Sequence, residues 1–460
     1  MSIHNEAAMI FSNRAWLHDR WQKDVRLKVV DGVITAVTPG ADPAPDDVRV
    51  DTLLPALANL HSHSFQRAMA GMTEYRGDDQ DSFWTWRSLM YRFLNHLTPD
   101  HIQAIAALVF AEMLESGYAS VGEFHYVHHQ PGGAPYDDIA ETSMRILAAA
   151  QLSGIGLTHL PVLYSYGGAG QKALSGGQQR FGNNVEDFLE LVEVIDAACA
   201  AMPPDTRVGV APHSLRATSP ADLARLTAQI SDRPMHIHIA EQPAEVRDVS
   251  DWLGARPVQW LLDNQDVNAR WCLIHATHMT GAETRALAAS GAVAGLCPIT
   301  EANLGDGAFN GPQYLAAAGR FGIGSDSNVR ISMTEELRLL EYSQRLRDGQ
   351  RNVMTPGPGS VGQALYTGAA RGGAQALARR SGQIAPGFLA DLTAIDSTAP
   401  GLCALSEQQL FDGLCFTAGD DVVTDVWAAG RHMVRAGRHV NKAAILRDYR
   451  RAMDSLRARL

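Results

Sequence analysis

Eight short apolar runs punctuate the middle of the chain, from about Leu54 to about Arg380. They are "LPALANLHSH", "SVGEFHY", "GLTHLPVLY", "RVGVAPHS", "PMHIHIAE", "RWCLIHATH", "AVAGLCPIT" and "RFGIGSDS". Each is followed by a polar or glycine break and then by a stretch of helical character. Two such stretches, Thr98 to Gly117 and Ser219 to Ile230, open with a Thr or Ser cap. Strand–helix alternation of this kind predicts parallel β/α units, and eight strands is the number that closes a barrel. An open doubly wound sheet is the alternative, disfavoured because no G-x-G-x-x-G turn follows the first strand. The predicted fold class is therefore α/β, a (β/α)8 barrel.

The two ends of the chain have a different texture. Asp24 to Gly40 reads as two strands joined by Asp31-Gly32, a strong hairpin signal. Asp421 to Val440 repeats the theme around Gly430 and Gly437. Both ends are thus β-rich, and we expect them to pair into one small domain split in sequence. The expected division is 1–53 and 381–460 for that domain, with 54–380 as the barrel. Gly167 to Gly182 reads as a flexible loop over the site.

Composition narrows the partners. A chain of 460 residues suggests a large domain with a smaller one, and 46% apolar with 19% charged residues is globular. A net charge of -11 argues against a nucleic-acid partner. It leaves room for a small anion, because a few arginines can reverse the field in a pocket. Lysine is confined to Lys23, Lys28, Lys172 and Lys442. The five cysteines are scattered without C-x-x-C spacing, which fits a reduced, cytoplasmic protein. Neither a signal-peptide core nor an apolar run long enough for a bilayer is visible. The Glu335 to Arg351 segment has alternating charge and is expected to be solvated or to face a partner in a homodimer.

In a parallel barrel the active site lies at the C-terminal ends of the strands. The polar residues closing the runs are His61, His63, Glu123, His125, Tyr126, His213, His236, His238, Glu241, His275 and Asp326. Residues i and i+2 of a strand face the same side, so His61 and His63 can share an ion. A lone H-x-H among 17 histidines is weak, since roughly one chance pair is expected. Convergence strengthens it: His61, His63, a histidine of "HIHIAE" and Asp326 would supply the four N/O ligands of a hydrolytic metal site. His236 and His238 have the same strand parity, so spacing alone leaves both open.

"HSH", "HIAE", "IHATH", "CPITEANLGDG", "GSDS" and "GQIAPGFLADL", in that order, resemble the amidohydrolase superfamily and its metal-dependent aminohydrolases. The longer strings "NLHSHSFQRAMAG", "DSFWTWR", "EFHYVHH", "HSLRA" and "ITEANLGDG" are similar to the formimidoylglutamate deiminases of that superfamily. The resemblance spans nearly the whole chain. It implies a (β/α)8 TIM-like barrel with a composite β-sandwich from both chain ends. It also implies metal ligands at His61, His63, His238 and Asp326, an acid/base at Glu241, and His236 packed below the metal. Two-metal members bridge their ions with a modified strand-end lysine, which no lysine here matches, so one divalent ion is expected. Zinc is the expected metal, although the donor set also accepts iron or manganese. Asp326 would take a proton from water, Glu241 would carry it to the leaving nitrogen, and His275 would orient the nucleophile.

The substrate so implied, N-formimino-L-glutamate, carries two carboxylates. Arg87 and Arg216 are the expected clamps, because arginine binds carboxylate as a bidentate fork. His213, Gln66 and Tyr126 are the further substrate-binding candidates, and "FWTW" the wall of a lid. His128-His129 reads as a solvated pair, His278 as structural, and Cys297-Pro298 as a turn; Glu301 could reach the site. The expected reaction is deamination of N-formimino-L-glutamate to N-formyl-L-glutamate and ammonia. A guanine-type ring deaminase and a non-catalytic barrel scaffold are the alternatives. Two arginines with a histidine in the pocket disfavour the first, and an intact ligand set disfavours the second.

Overall fold

The computed structural model describes residues 8–74 and 83–459; the side chains of 83–88 also lie outside the described set. The chain begins with β1 (Ala8–Leu17), β2 (Arg20–Val30), β3 (Val33–Thr38) and β4 (Val48–Pro55). The barrel follows, with β5 (Leu57–Ser62), β6 (Tyr118–His125), β7 (Gly156–Leu163), β8 (Arg207–Val208) and β9 (Ala211–Pro212). It continues through β10 (Met235–Ile239), β11 (Trp271–His275), β12 (Val293–Leu296) and β13 (Arg320–Ile323). The chain then returns to the first sheet with β14 (Leu392–Ile395), β15 (Val423–Ala428), β16 (Arg431–Arg435) and β17 (Arg438–His439).

Each of the eight apolar runs becomes a barrel stave. The hydrogen-bonded order is β10-β11-β12-β13-β5-β6-β7-β8, with β9 also on β7. Parallel bridges Val210–Met235 and Ser214–His238 join the fourth stave to β10 and close the ring. Every residue of β5, β6 and β7 is buried, as strands covered on both faces require. The "RVGVAPHS" stave is broken into β8 and β9 at Gly209, where a Cβ would lie 2.6 Å from Leu160 Cδ2 and 2.8 Å from the Pro234 carbonyl. The Thr98 and Ser219 caps are realised on helices Pro99–Glu115 and Pro220–Gln229; each side chain accepts a backbone N–H of the first turn.

The chain ends form one continuous eight-stranded sheet, β17-β16-β15-β14-β4-β1-β2-β3. Its hairpins turn on paired left-handed residues: Asp31 (φ 51°) with Gly32 (φ 78°), Ala429 (43°) with Gly430 (75°), and Ala436 (48°) with Gly437 (73°). Such turns match the strand twist. The sheet coils around its own core, which includes Ile10, Leu27, Leu53, Leu392 and Trp427. An antiparallel bridge from Val33 to Leu389 brings its far edge back beside β14.

The two sheets meet within one strand's length. "LPALANL" is read above as a single barrel strand, but the structure divides it. Leu54 and Pro55 pair with Thr393 and Leu392 in the terminal sheet, Ala56 donates to the Asp391 carbonyl, and the barrel strand starts at Leu57.

Across this junction lies a buried ionic cluster. The Arg379 side chain is fully buried, with Nη2 at 3.0 Å from Asp391 and 3.1 Å from Asp205. Arg431 binds the same Asp205 carboxylate at 2.7 Å. Removing the shared cation leaves Asp391 buried without its cation and Asp205 with Arg431 alone, so Arg379→Met should destabilise folding by about 3–5 kcal/mol. Urea denaturation monitored by tryptophan fluorescence checks this; a loss below about 1 kcal/mol would show that the cluster is solvated.

Candidate active site

Three strand ends deliver three imidazoles to one point. His61 Nε2 lies 3.1 Å from His63 Nε2 and 3.0 Å from His238 Nε2, and the remaining His63–His238 separation is 3.3 Å. The His63 Nδ1–H donates to the Phe124 carbonyl at 2.9 Å, and the His238 Nδ1–H to the His213 carbonyl at 3.1 Å. Those donations fix the tautomers, so both Nε2 lone pairs face the common point. Burial drives all three rings toward the neutral form, His61 down to about 3. Neutral, convergent, buried imidazoles, two of them with their Nδ1 atoms already committed as donors, are a donor set for a divalent cation.

Asp326 completes the set from the end of the eighth stave. Its Oδ1 is 3.4 Å from His63 Nε2 and 3.6 Å from His61 Nε2. Burial alone would raise this carboxyl, but the surrounding imidazoles hold it below the ordinary carboxylate range. Its Oδ2 lies 3.7 Å from His275 Nε2, which is 3.9 Å from Glu241 Oε1. Burial would push His275 down, yet Glu241, Glu301 and Asp326 raise it to about 10. Glu241 is itself raised to about 7, chiefly by burial. Cys297 lies near His275 and Asp326, but burial raises its thiol so far that it stays protonated and is no thiolate donor.

The strands end abruptly because the backbone turns left-handed beside the site. Ala240 (φ 51°), His275 (67°), Ala276 (46°) and Asp326 (48°) all adopt a conformation that side chains rarely take. Fixed hydrogen bonds hold them there. The Asp326 N–H donates to the His61 carbonyl at 3.0 Å, and the His63 N–H to the Asp326 carbonyl at 2.9 Å. Ladder pairing between β13 and β5 is sparse, with Ile323 opposite Asn59. Fully buried polar side chains supplement it. Asn59 donates to Ser325 Oγ at 2.7 Å, Ser325 Oγ to Asn328 Oδ1 at 2.6 Å, and Asn328 Nδ2 to Ser62 Oγ at 3.1 Å.

One cleft connects these groups with the substrate-binding candidates. Gln66, Tyr126, His213 and Arg216 all line it, beside His63, His238, Glu241, His275 and Asp326. Gln66 Nε2 donates to Tyr126 Oη at 2.8 Å, leaving Gln66 Oε1 buried without a partner. Arg216 is buried, with Nε 4.0 Å from Glu245 Oε1. The side chain of Arg87, like the "FWTW" wall, lies outside the described residues; the backbone there is in helix Phe83–Leu94.

Other candidates fall elsewhere. His236 sits deeper in the barrel, held by the Ala376 carbonyl at 2.8 Å. His125 binds Thr142 Oγ1, and Glu123 accepts the Ser64 N–H at 2.8 Å, securing the turn after His63. The reading of His128-His129 as solvated is overturned. His128 is 1% exposed and bonds the Val162 carbonyl, while His129 bonds that of Gly182, because the loop folds inward over the strand ends. His278 binds the Asp306 carbonyl. Glu301, whose role spacing left open, holds His275 Nδ1 at 3.3 Å and accepts the Cys297 N–H at 2.9 Å. Glu245, missed in the sequence, accepts the Glu241 N–H at 3.0 Å. Tyr91, Tyr164 and Phe181, also missed, form the aromatic wall. Nothing in their spacing separates them from core aromatics.

A parallel barrel with convergent imidazoles and carboxylates at its strand ends defines a hydrolase of the metal-dependent barrel class. Comparison with known proteins agrees. The profile "Amidohydrolase family" matches residues 52–433, and "Formimidoylglutamate deiminase HutF, N-terminal domain" matches residues 7–51. A formimidoylglutamate deiminase of Pseudomonas aeruginosa is 48% identical over 97% of this chain and 99% of its own. The crystal structure of an amidohydrolase from Brucella melitensis superposes with a TM-score of 0.93 at 46% identity, covering 98% of this chain and 99% of that one. A 5-methylthioadenosine/S-adenosylhomocysteine deaminase of Nitratidesulfovibrio vulgaris is 29% identical over 94% of each chain. The chain belongs to the amidohydrolase family and, within it, to the formimidoylglutamate deiminases.

The different depths of His236 and His238 give a direct test of the donor set. His238→Ala should purify with less than about a tenth of the wild-type metal, whereas His236→Ala should keep its metal and lose only stability. Metal analysis of both variants after dialysis checks this; equal loss in both would mean that the imidazole triad is not the site.

Proposed function

We propose that the chain hydrolyses N-formimino-L-glutamate to N-formyl-L-glutamate and ammonia, with one divalent ion, zinc by preference, held by His61, His63, His238 and Asp326. The observation that carries this reading is that Arg216 opens into the same buried cleft as the four-donor set. An anionic substrate would need that arrangement and a neutral ring would not. The close likeness to the Pseudomonas aeruginosa formimidoylglutamate deiminase supports it. When bound, the ion supplies Lewis acidity that makes water nucleophilic near neutral pH.

This chain's residues do the rest. Asp326, ionised among its imidazoles, accepts a proton from the attacking water. His275, oriented by Glu301, donates a hydrogen bond that positions the incoming oxygen. Glu241, with a pKa of about 7, suits proton transfer in both directions at neutral pH. It passes the water proton to the formimino nitrogen as the oxygen adds to carbon; the remaining hydroxyl proton of the tetrahedral adduct then follows to the same nitrogen, so that the C=O forms as the C–N bond breaks and ammonia leaves. Arg216 forks onto a substrate carboxylate, with Arg87 as the second clamp. Gln66 and Tyr126 bind the polar backbone of the substrate, and His213 packs beside His238, ring centroids 4.9 Å apart.

The same reading keeps a sandwich from both chain ends around a central catalytic barrel, with the expected 53/54 boundary moved to Ala56 and the 380/381 boundary kept, in a cytoplasmic homodimer. The five free cysteines fit that location, and no helix of the described residues is long and apolar enough to cross a membrane. Leu346, 86% exposed on helix Met333–Asp348, fits a subunit contact.

The deciding experiment incubates the metal-loaded protein with N-formimino-L-glutamate and assays ammonia against formamide. Ammonia with N-formyl-L-glutamate is expected; formamide with glutamate would overturn the reading. Glu241→Gln should lower kcat by about 10²–10⁴-fold. Arg216→Met should lower kcat/KM at least about 100-fold with metal retained, the loss of a charge-assisted fork. Unchanged kcat/KM in the Arg216 variant would remove Arg216 from substrate binding.

A further inference from the structure

The Arg180 side chain is fully buried, and among the described residues no carboxylate pairs with it. Burial lowers its pKa, but a guanidinium stays protonated in proteins. A buried cation without a counter-charge is costly, so its neighbours need to account for it. Its hydrogen-bond partners among the described residues are all neutral oxygens. Nε donates to the His129 carbonyl at 2.8 Å, Nη1 to the carbonyls of Leu94 and Leu97 (the latter at 3.1 Å), and Nη2 to Tyr136 Oη at 3.3 Å. Leu94 ends helix Phe83–Leu94, and Leu97 lies one turn beyond. Carbonyls at a helix C-terminus carry the negative end of the dipole and lack intrahelical donors. The cation is therefore stabilised by the end of a helix.

That helix matters because Met90 and Tyr91 on it line the cleft. The Arg180 backbone reaches a second wall: its carbonyl accepts the N–H groups of His128 and His129, both at 2.9 Å, just past Tyr126. The next residue, Phe181, is a third: its ring meets Tyr126 edge-on at 4.7 Å and Tyr164 at 5.4 Å. The glycine-rich loop around it is built rather than loose. Gln178 Nε2 donates to Tyr164 Oη at 3.1 Å and to the Gly167 carbonyl at 3.0 Å. Gly177 packs so tightly on Tyr91 that a Cβ there would lie 2.8 Å from the ring.

We propose that Arg180 is a positioning residue for substrate binding: it pins the helix carrying Met90 and Tyr91, the loop after Tyr126, and Phe181 into one wall over the metal end of the cleft. It touches neither the substrate nor the metal donors, and acts through the aromatic wall. The substrate arm of its test rests on the function proposed above; the exchange arm does not.

The experiment compares metal-loaded wild type with Arg180→Met and Arg180→Lys. In Arg180→Met, KM for N-formimino-L-glutamate should rise roughly tenfold, with kcat within about threefold and metal content unchanged. Amide hydrogen exchange over residues 90–97 and 128–136 should quicken in the same variant. Arg180→Lys can cap the helix carbonyls but cannot also fork to His129, so it should restore protection at 90–97 and leave 128–136 fast. Wild-type exchange in both segments, or a fall in kcat at constant KM, would overturn the proposal. If Arg180→Met does not fold, Arg180→Lys decides by its exchange at 128–136. If the wild type does not turn over N-formimino-L-glutamate, the function reading fails and the exchange pattern alone decides this one.

Discussion

Three imidazole nitrogens held 3.0–3.3 Å apart at the ends of neighbouring strands are the constraint on which the site depends. Left to themselves the rings would rotate apart or protonate. They do neither, because the Nδ1 atoms of His63 and His238 are tied to the Phe124 and His213 carbonyls. Phe124 is in β6 and His213 directly follows β9. The metal geometry is thus written in the spacing of neighbouring staves. The polar seam of Asn59, Ser62, Ser325 and Asn328 extends the same logic to Asp326, whose strand has little ladder pairing of its own. A buried polar network is tolerable only when its members are satisfied, and it then rigidifies what it joins.

The same constraint explains why the terminal sheet is fused so tightly to the barrel. A single residue, Ala56, separates the last residue of β4 from the first of β5, and His61 follows five residues later. A shift of β4 in its sheet would be transmitted along an extended chain to the ligand pair. Pairing of β4 with β14 and the Arg379 cluster oppose such a shift from both sides. The small domain thereby sets the height of His61 and His63 in the barrel.

Much of this was legible in the sequence because the signals were periodic or additive. Eight apolar runs and two hairpin-rich ends are pattern-level features, and they carried the architecture. H-x-H parity placed His61 and His63 on one side, but the equal parity of His236 and His238 could not rank them. Depth along the barrel axis does so, and depth is a tertiary property. The split of "LPALANL" was invisible because a strand passing from one sheet to another keeps one continuous apolar pattern. His128 was misread for a related reason: polar residues after a strand usually meet solvent, and only the loop's inward fold supplies carbonyls instead. Glu245, Glu301 and Phe181 carry no spacing signal, since their roles exist only against partners distant in sequence.

The carboxylates around the cleft raise a final physical question, because an acidic pocket should repel an anionic substrate. Their surroundings divide the charge. Asp326 stays ionised among imidazoles, whereas burial pushes Glu241 up to about 7 and, behind the cleft wall, Asp306 up to about 9. Proximity sharpens the division, since Glu241 and Asp306 each raise the cost of ionising the other. Negative charge is therefore concentrated where three imidazoles converge and thinned along the rest of the wall. Arg216 is approached within 4.0 Å by Glu245 alone among the described acids, an ion pair that holds the guanidinium at the cleft wall. A divalent ion on these donors would more than offset the Asp326 charge, so the ion and the Arg216 guanidinium would together favour an anionic ligand in spite of the acidic wall.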